Sequence, residues 1–425
     1  MVCLSALALA ASLGGVLSRE KIAGKPTHFI LHAFFVGAIF TSLASKLFFG
    51  AAVSALLNFS PTSALFLLTL INVNSIDRLR KTCAAVAYCT FVLAACSVVS
   101  YHTGIMADRL VLRQAVESNS FADSADPAAE LIPALDNSGR NLWRIRSLGF
   151  LTDPNDFGQA VVMALPLLLG FYRVRQKLRN LFLILIPAVT FGYAIYLTHS
   201  RGALLGFIAI ALSLAKRKLK AAQFTVVLVM LGILGLAAKS LAGGRSFSSD
   251  EESAGGRIDA WSEGLTMLFG HPFFGVGYGK FTDHHNYTAH NTFVLCFAEL
   301  GLIGYFVWIA VLVWSFKGLN QAVRILPPQA QESRWAELLR TSLIGFLVCA
   351  FFLSRTYVPN LYILLALCLC AAACARWHIE TLPVTTTATR IEWKEIHWAA
   401  ASVKVVLASI ALVYIIVRLK NSNII

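Results

Sequence analysis

Charged residues are scarce in this 425-residue chain: they make up 14% of it, whereas soluble domains carry about 25%. Acidic residues are the scarcer sign, with 22 Asp and Glu against 36 Lys and Arg. Hydrophobic residues make up 57% of the chain, and the mean hydropathy is +0.69. The lack of charge excludes a soluble globular domain and predicts a polytopic membrane protein.

The polar connections between the apolar runs lack cysteine. All nine cysteines lie inside apolar runs, where a thiol packs as a small hydrophobic side chain. This distribution argues against both a disulfide framework and a CxxC metal site.

Apolar runs of about 17 to 25 residues, long enough to cross a hydrocarbon core, recur along the chain. They predict an all-α polytopic membrane protein with about 12 transmembrane helices and two long loops on one side. Asn58 and Pro61 interrupt the third run, which could form two shorter helices. The predicted spans are approximately 1–17, 28–44, 47–73, 82–102, 157–173, 180–198, 201–215, 221–238, 289–316, 339–354, 358–376 and 398–418.

Basic residues collect in the short connections on one side of these spans, as the positive-inside rule predicts for the cytoplasmic side. The net charge of +14 therefore does not indicate a nucleic-acid partner. The opposite side carries the long loops 103–156 and 239–288, where function is expected. The predicted regions are an N-terminal transmembrane scaffold (1–102), a periplasmic loop with an interfacial helix (103–156), transmembrane helices (157–238), a large periplasmic loop (239–288) and C-terminal transmembrane helices (289–425).

The first long loop ends in a segment rich in arginine. Trp143 lies among Arg140, Arg144 and Arg146, a composition typical of an interfacial amphipathic helix among phosphate head groups.

The DPND turn at 153–156 follows this segment. It is predicted to cap the helix that starts near Phe157. Two interpretations stay open for Asp153 and Asn155: capping alone, or orientation of a substrate sugar at the membrane surface.

Arg201 lies between two apolar runs that are joined by almost no loop, so its guanidinium is expected at the outer membrane interface. A charged side chain at membrane depth is costly and usually functional. His199, Ser200 and Gly202 allow a close approach of the backbone, and the following helix contributes the positive end of its dipole. The turn therefore predicts an anion site, with snorkelling of Arg201 to lipid phosphate as the alternative.

The second long loop leads into residues 255–304, where polar chemistry is concentrated. Arg257 and Trp261 are four residues apart, on one face of a short predicted helix. A planar guanidinium binds phosphate oxygens in pairs, so Arg201 and Arg257 would suit a diphosphate. His290 stands at the mouth of the next apolar run, either as a proton acceptor or as a helix cap assisted by Asn291.

Three motifs in this order resemble the signature of the bacterial O-antigen ligase and O-antigen polymerase superfamily. They are SRGALLG at 200–206, GGRxxxWxxG followed by HPFFGVGYGKF at 255–281, and AHNTFVLCFAELGLIG at 289–304. The DPND turn is similar to the family pattern too. The resemblance covers roughly residues 140–310, and the remainder agrees only in helix count.

The resemblance implies a GT-C-like glycosyltransferase at the outer face of the bacterial inner membrane, with its active site facing the periplasm. Its donor would be a glycan on undecaprenyl pyrophosphate. Its acceptor would be lipid A-core in a ligase, or another lipid-linked glycan in a polymerase. Transfer would invert the anomeric carbon and need neither a metal nor a cofactor, and membrane lipids would be the other partners.

The resemblance also implies residue roles: Arg201 and Arg257 hold the pyrophosphate, and His290 is the base. His284 and His285 depart from a plain pattern and offer a second base or an acceptor contact. Arg355, at an outer helix junction, is a further candidate phosphate or sugar contact. The candidate site residues are His290 as the catalytic group and, for substrate binding, Arg201, Arg257, Asn291, Asn155, Asp153, Trp261, Arg355, His284 and His285.

Two other functional classes stay open. A secondary transporter would also have many helices, but transporters show inverted repeats and binding residues near the midplane. This sequence has no internal repeat, and its unusual residues cluster at one face. A non-catalytic assembly factor would be insensitive to the substitution His290→Ala.

Overall fold

The computed structural model describes residues 23, 25–112, 143–215, 254–381 and 393–422. Almost all regular structure in this part of the chain is helical, and its strands form a single pair of two residues each. In chain order the elements are α1 (Pro26–Ala44), α2 (Phe49–Asn72), α3 (Ile76–Thr103), α4 (Ala107–Leu110), β1 (Val111–Leu112), β2 (Arg144–Ile145), α5 (Pro154–Leu168), α6 (Lys177–Asn180), α7 (Ile186–Leu197), α8 (Arg201–Ala215), α9 (Ala254–Gly270), α10 (Thr292–Ile325), α11 (Gln331–Ala350), α12 (Pro359–Thr381) and α13 (Ala399–Asn421).

Seven helices among the described residues are long and apolar enough to cross a membrane. This confirms a multi-pass, all-α membrane protein. The seven candidate spans are Thr27–Ala44, Phe49–Asn72, Ile76–Thr103, Lys177–Leu197, Thr292–Ile325, Pro359–Thr381 and Ala399–Asn421.

A helix occupies ten of the twelve predicted spans, and the other two, 1–17 and 221–238, lie outside the described residues. Three of those ten helices, α5, α8 and α11, are shorter or more polar than the seven candidate spans. Helix α2 runs unbroken through Pro61, so the third run forms one helix rather than two. The total of twelve spans and the five predicted regions stay predictions.

The predicted interfacial helix around Trp143 is wrong over residues 143–148. Arg144 and Ile145 form strand β2, which pairs antiparallel with β1 in the register Val111↔Ile145. Neighbouring side chains of a strand point to opposite faces. Accordingly, Ile145 is fully buried while Arg144, beside it, is only partly buried. Arg140 lies outside the described residues.

The described residues form two compact units. The first takes its described residues from the ranges 1–86, 254–343 and 350–425, and the second from the ranges 87–253 and 344–349. In the first unit α1, α2, α10 and α12 pack together around an aromatic cluster. His32 belongs to this cluster: its ring stacks on Phe66 with a centroid distance of 4.5 Å, and its Nε2 lies 2.6 Å from Ser63 Oγ.

Helix α10 is broken inside the membrane-length run that the sequence predicts as continuous. Gly301 has φ of 64° and ψ of −170°, which is not helical. The loop that follows α9 fills the break: Val276 N donates to Ala298 O at 2.9 Å, and Leu302 N donates to Pro272 O at 2.7 Å. These bonds pair backbone groups that the break takes out of the helix, and such pairing is obligatory at membrane depth.

Glycine is required where the loop meets the break. A Cβ on Gly275, which has φ of +68°, would lie 2.4 Å from the backbone of Glu299. A Cβ on Gly301 would lie 2.5 Å from the backbone of Phe273. The motif HPFFGVG and the motif ELGLIG therefore form one structural element, which fixes the loop leading to the histidines.

The second unit is organised around α5, which contacts α7 and α8. Gly158 allows a close approach to α8, because a Cβ there would lie 2.8 Å from the Cβ of Ala203. Gln159 lies in this buried face and donates to the carbonyl of Phe346 at 3.1 Å.

Candidate functional site

His290 occupies a strained turn at the start of α10 in the first unit. Its φ is +45°, in the left-handed region, which histidine enters more readily than most residues other than glycine. The next residue, Asn291, is fully buried and caps the helix: its Oδ1 accepts from Phe293 N at 2.9 Å and from Val294 N at 3.2 Å. Capping therefore occupies the side-chain oxygen of Asn291, while the histidine stays partly exposed.

Helix α9 holds this turn from one side. The indole of Trp261 is buried, and its Nε1 donates to the carbonyl of Ala289 at 3.0 Å. Arg257 lies four residues before Trp261 on the same helix and is partly exposed. The predicted helix with Arg257 and Trp261 on one face is thus confirmed, and a hydrogen bond connects that helix to the residue preceding His290.

The segment before α12 holds the turn from a second side. Thr292 Oγ1 accepts from Arg355 N at 3.0 Å, and Thr356 Oγ1 donates to Thr292 O at 2.9 Å. Thr288 Oγ1 donates to Ser354 Oγ at 2.8 Å. The backbone of Arg355 is thus bonded to the turn that contains His290. The side chain of Arg355 is partly exposed.

The loop between α9 and α10 supplies the other two histidines. His284 is exposed, and His285 accepts a hydrogen bond at Nδ1 from Tyr287 N at 3.1 Å. The carbonyl oxygen of Tyr287 also lies 3.0 Å from this Nδ1, so the ring contacts both backbone polar groups of Tyr287. Both histidines stay candidates for an acceptor contact.

Glu299 anchors the same loop from inside α10. Its carboxylate is buried and accepts from Phe281 N at 3.3 Å and from Tyr357 Oη at 2.8 Å. The ring of Tyr357 also lies 4.5 Å, centroid to centroid, from that of Tyr278. Burial, and secondly the charge of Glu299, raises the pKa of Tyr357 well above its usual value, so the phenol stays protonated and donates. Glu299 therefore accepts hydrogen bonds from the loop after α9 and from the segment before α12.

The last helix reaches α9 through an ion pair. Lys420 Nζ lies 2.6 Å from Asp259 Oδ1, two residues beyond Arg257. The ion pair gives Lys420 a structural partner.

The turn that contains Arg201 lies in the second unit. His199 has φ of +49°, and Ser200 Oγ accepts from Ala203 N at 3.3 Å, as an N-cap of α8. Arg201 is the first residue of α8 and is exposed. The predicted tight turn followed by a helix N-terminus is confirmed; anion binding by this turn stays a prediction.

Arg144 supports this turn, a role that the sequence does not reveal. Its Nε donates to Thr198 O at 2.8 Å, and its Nη2 donates to Asn155 Oδ1 at 3.0 Å. Asp153 is the N-cap of α5, and its Oδ1 accepts from Asn155 N at 2.6 Å. The capping prediction for the DPND turn is confirmed, with the helix beginning at Pro154 rather than near Phe157.

The structure thus divides the predicted site residues between the two units. Asn155, Asp153 and Arg201 belong to the second unit. Arg257, Trp261, His284, His285, His290, Asn291 and Arg355 belong to the first unit. Their roles toward substrate stay predictions.

A protein-family model described as O-antigen ligase matches residues 186–309. The matched segment includes the turn with Arg201, the helix with Arg257 and the turn with His290. A search of curated proteins finds no match to this chain. The match indicates a glycosyltransferase-like enzyme that acts on lipid-linked glycans, of the ligase or polymerase type, and it confirms the resemblance seen in the motifs. Residues 186–309 of this multi-pass membrane protein are thus similar to the O-antigen ligase family, in the region that carries the three motifs.

Proposed function

We propose that this protein is an inverting, metal-independent glycosyltransferase of the O-antigen ligase type. It transfers a glycan from undecaprenyl pyrophosphate to a sugar hydroxyl of lipid A-core. The reaction takes place at the periplasmic face of the bacterial inner membrane. No cofactor takes part.

One observation carries the proposal: the turn with His290 is held by bonds from two sides. Trp261 holds the carbonyl of Ala289, and the segment with Arg355 bonds to Thr292. Two arginine-bearing segments are therefore bonded to the turn that contains the partly exposed His290. Preorganised cationic donors beside a proton acceptor suit a reaction that builds negative charge on a phosphate.

The energy for transfer comes from the donor, because no nucleotide is present outside the cytoplasm. The acceptor oxygen attacks the anomeric carbon as the bond from that carbon to the pyrophosphate oxygen breaks. The bonding electrons leave with the pyrophosphate, and the hydroxyl proton passes to His290. Attack opposite the leaving group inverts the anomeric carbon.

The arginines stabilise the departing pyrophosphate. Arg257 donates to phosphate oxygens in pairs, and the family pattern supports the same role for Arg201. Arg355 makes a further phosphate or sugar contact. His284, His285, Asn155 and Asn291 remain candidates for sugar contacts, whereas the carboxylate of Asp153 serves its helix cap.

A reconstituted reaction tests the proposal. The purified protein is given an undecaprenyl-pyrophosphate-linked glycan in detergent, first with lipid A-core and then without it, in the absence of an ion gradient. We expect glycan attached to lipid A-core in the first reaction and no longer glycan in the second. His290→Ala should remove the product while membrane insertion is retained.

The same reaction discriminates the alternatives. Elongated lipid-linked glycan in the absence of lipid A-core would identify a repeat-unit polymerase instead. Absence of any transfer by correctly folded protein, in both arms, would contradict an enzyme and leave a transporter or an assembly factor.

A further inference from the structure

We infer that the first unit contains a second binding site, for a phosphate-bearing anion, at the end of its helices remote from His290. A pocket of about 180 Å³ lies there between α1, α10, α12 and the segment that begins at residue 393. A single water needs only about 10 to 15 Å³ by the same measure, so the pocket admits a larger group. The lining residues that matter for binding are Lys25, His28, Trp314, Arg376, Trp377 and Trp393.

His28 presents a buried hydrogen-bond donor at the pocket wall. Its Nδ1 accepts from the backbone N–H of Lys25 at 3.1 Å, which assigns the ring proton to Nε2. The residue is 6% exposed, and Nε2 has no hydrogen-bond partner within the described part of the chain. Buried donors are almost always paired, so this one fits an acceptor atom of a ligand, such as a phosphate oxygen.

The charges around the pocket favour an anion. Lys25 and Arg376 both line it, and the described residues of its wall include no carboxylate. Arg376 is paired with Glu380, one turn further along α12, at 2.9 Å between Nε and Oε1. Lys25 immediately precedes the N-terminus of α1, where the helix dipole adds positive potential.

The ends of the three helices indicate where the pocket lies along the unit. The far end of α1 contacts the loop that leads to the histidines, since Ser42 Oγ accepts from Tyr278 N at 3.1 Å. Helix α10 starts beside His290 and reaches the pocket at Trp314, and α12 starts near Arg355 and reaches it at Arg376. The pocket and the turn with His290 are therefore at opposite ends of the same helices.

Tryptophan and basic side chains mark the expected chemistry of the ligand. Trp314, Trp377 and Trp393 around two cations are typical of a membrane interface on the basic, cytoplasmic side. Basic pockets between transmembrane helices on that side bind anionic headgroups. A phospholipid headgroup and free phosphate share the required chemistry, and the experiment separates them.

Native mass spectrometry of the detergent-purified protein, titrated with phosphatidylglycerol and in parallel with phosphatidylcholine, measures binding directly. We expect the anionic lipid to bind about tenfold or more tightly than the zwitterionic one, with the difference lost in Arg376→Ala, as for loss of a charge-assisted bond. His28→Phe keeps the ring against Trp314 but removes the donor, and it should weaken binding by about three- to tenfold. Inorganic phosphate is then added as a competitor.

Arg80→Ala is the matched control, because Arg80 pairs with Asp77 at 3.4 Å as Arg376 pairs with Glu380, yet it does not line the pocket. Arg80→Ala should bind phosphatidylglycerol like the wild type. His290→Ala should do so too, which shows that lipid binding does not depend on glycan transfer. The unfolding midpoint of each variant without lipid verifies its fold, and Lys25→Ala replaces Arg376→Ala if the latter does not fold.

Displacement of the lipid by millimolar phosphate would support the anion site and identify free phosphate as its occupant. Retention of the lipid under phosphate would support the site with a phospholipid as occupant. Equal binding of both lipids, or wild-type binding by folded Arg376→Ala, Lys25→Ala and His28→Phe, would overturn the proposal.

Discussion

The turn before α8 and the turn before α10 are built alike in two different units. Each has a histidine with positive φ, 49° at His199 and 45° at His290, followed by a buried capping residue, Ser200 or Asn291. In each, the carbonyl of the residue before the histidine accepts a bond from a side chain far away in sequence. Arg144 donates to Thr198 O, and Trp261 donates to Ala289 O.

The two turns differ in the group that they offer. After the cap, the first turn presents Arg201, which is exposed, as the first residue of its helix. The second turn has Thr292 in that place, and this threonine bonds to the segment with Arg355. We therefore expect the first turn to supply charge through the residue after the cap, and the second to supply its imidazole.

The largest expected effect separates the two histidines. His290→Ala should lower glycan transfer by about 10²- to 10⁴-fold, the usual contribution of a general base. His199→Ala places alanine in an equally unfavourable backbone conformation but removes no proposed catalytic group, so its loss should be several-fold at most. Transfer rates of the two purified variants measure the difference. Equal losses would mean that both histidines act only through the structure of their turns, and would contradict a catalytic role for His290.

Conservative substitution of the arginines comes next. Arg257→Lys and Arg201→Lys keep the charge but lose the paired donors, so each should slow transfer by about tenfold or more. Arg80→Lys, at an exposed pair with Asp77, should have no measurable effect. If both lysine variants transferred glycan like the wild type, paired phosphate recognition would be wrong.

The supports of the two turns should matter less than the groups they hold. Trp261→Phe keeps an aromatic ring against Phe351 but leaves the carbonyl of Ala289 without its donor. Arg144→Lys loses the planar fork that bonds Thr198 O and Asn155 Oδ1 together, which weakens the corresponding support at Thr198. We expect a loss of transfer of about three- to tenfold for each, from one net hydrogen bond. Wild-type activity in Trp261→Phe would show that this bond does not position His290.

The smallest effect distinguishes the caps. Asn291 accepts two backbone bonds and Ser200 accepts one, so Asn291→Ala should cost about 1 to 2 kcal/mol of unfolding free energy and Ser200→Ala about 0.5 to 1. Unfolding midpoints in detergent compare the two. The reverse order would mean that the number of capping bonds does not determine the stability at these positions.

Local sequence predicted the parts of the site that local physics determines. Asp153 caps α5, Arg201 starts α8 after a tight turn, and Arg257 and Trp261 share one helix, as predicted. Each depends on capping chemistry or helical spacing within a few residues. The same holds for the apolar runs, whose length is set by the membrane.

The supports escaped prediction because they join distant segments. The composition around Arg144 predicts an interfacial helix, yet Arg144 bonds to Thr198, 54 residues away, from an extended strand. The presence of Gly301 does not predict the break in α10, since glycine is common in unbroken transmembrane helices. The structure shows that the glycine-rich loop enters a broken helix, through pairings such as that of Val276 N with Ala298 O.

The most direct test of the central claim replaces His290 with glycine. Glycine adopts a φ near +45° without strain, so His290→Gly should keep the turn and the unfolding midpoint while removing the imidazole. In the reconstituted reaction with the lipid-linked donor and lipid A-core, we expect this variant to be folded like the wild type and to form no detectable product. Transfer at the wild-type rate by folded His290→Gly would contradict a base at this position.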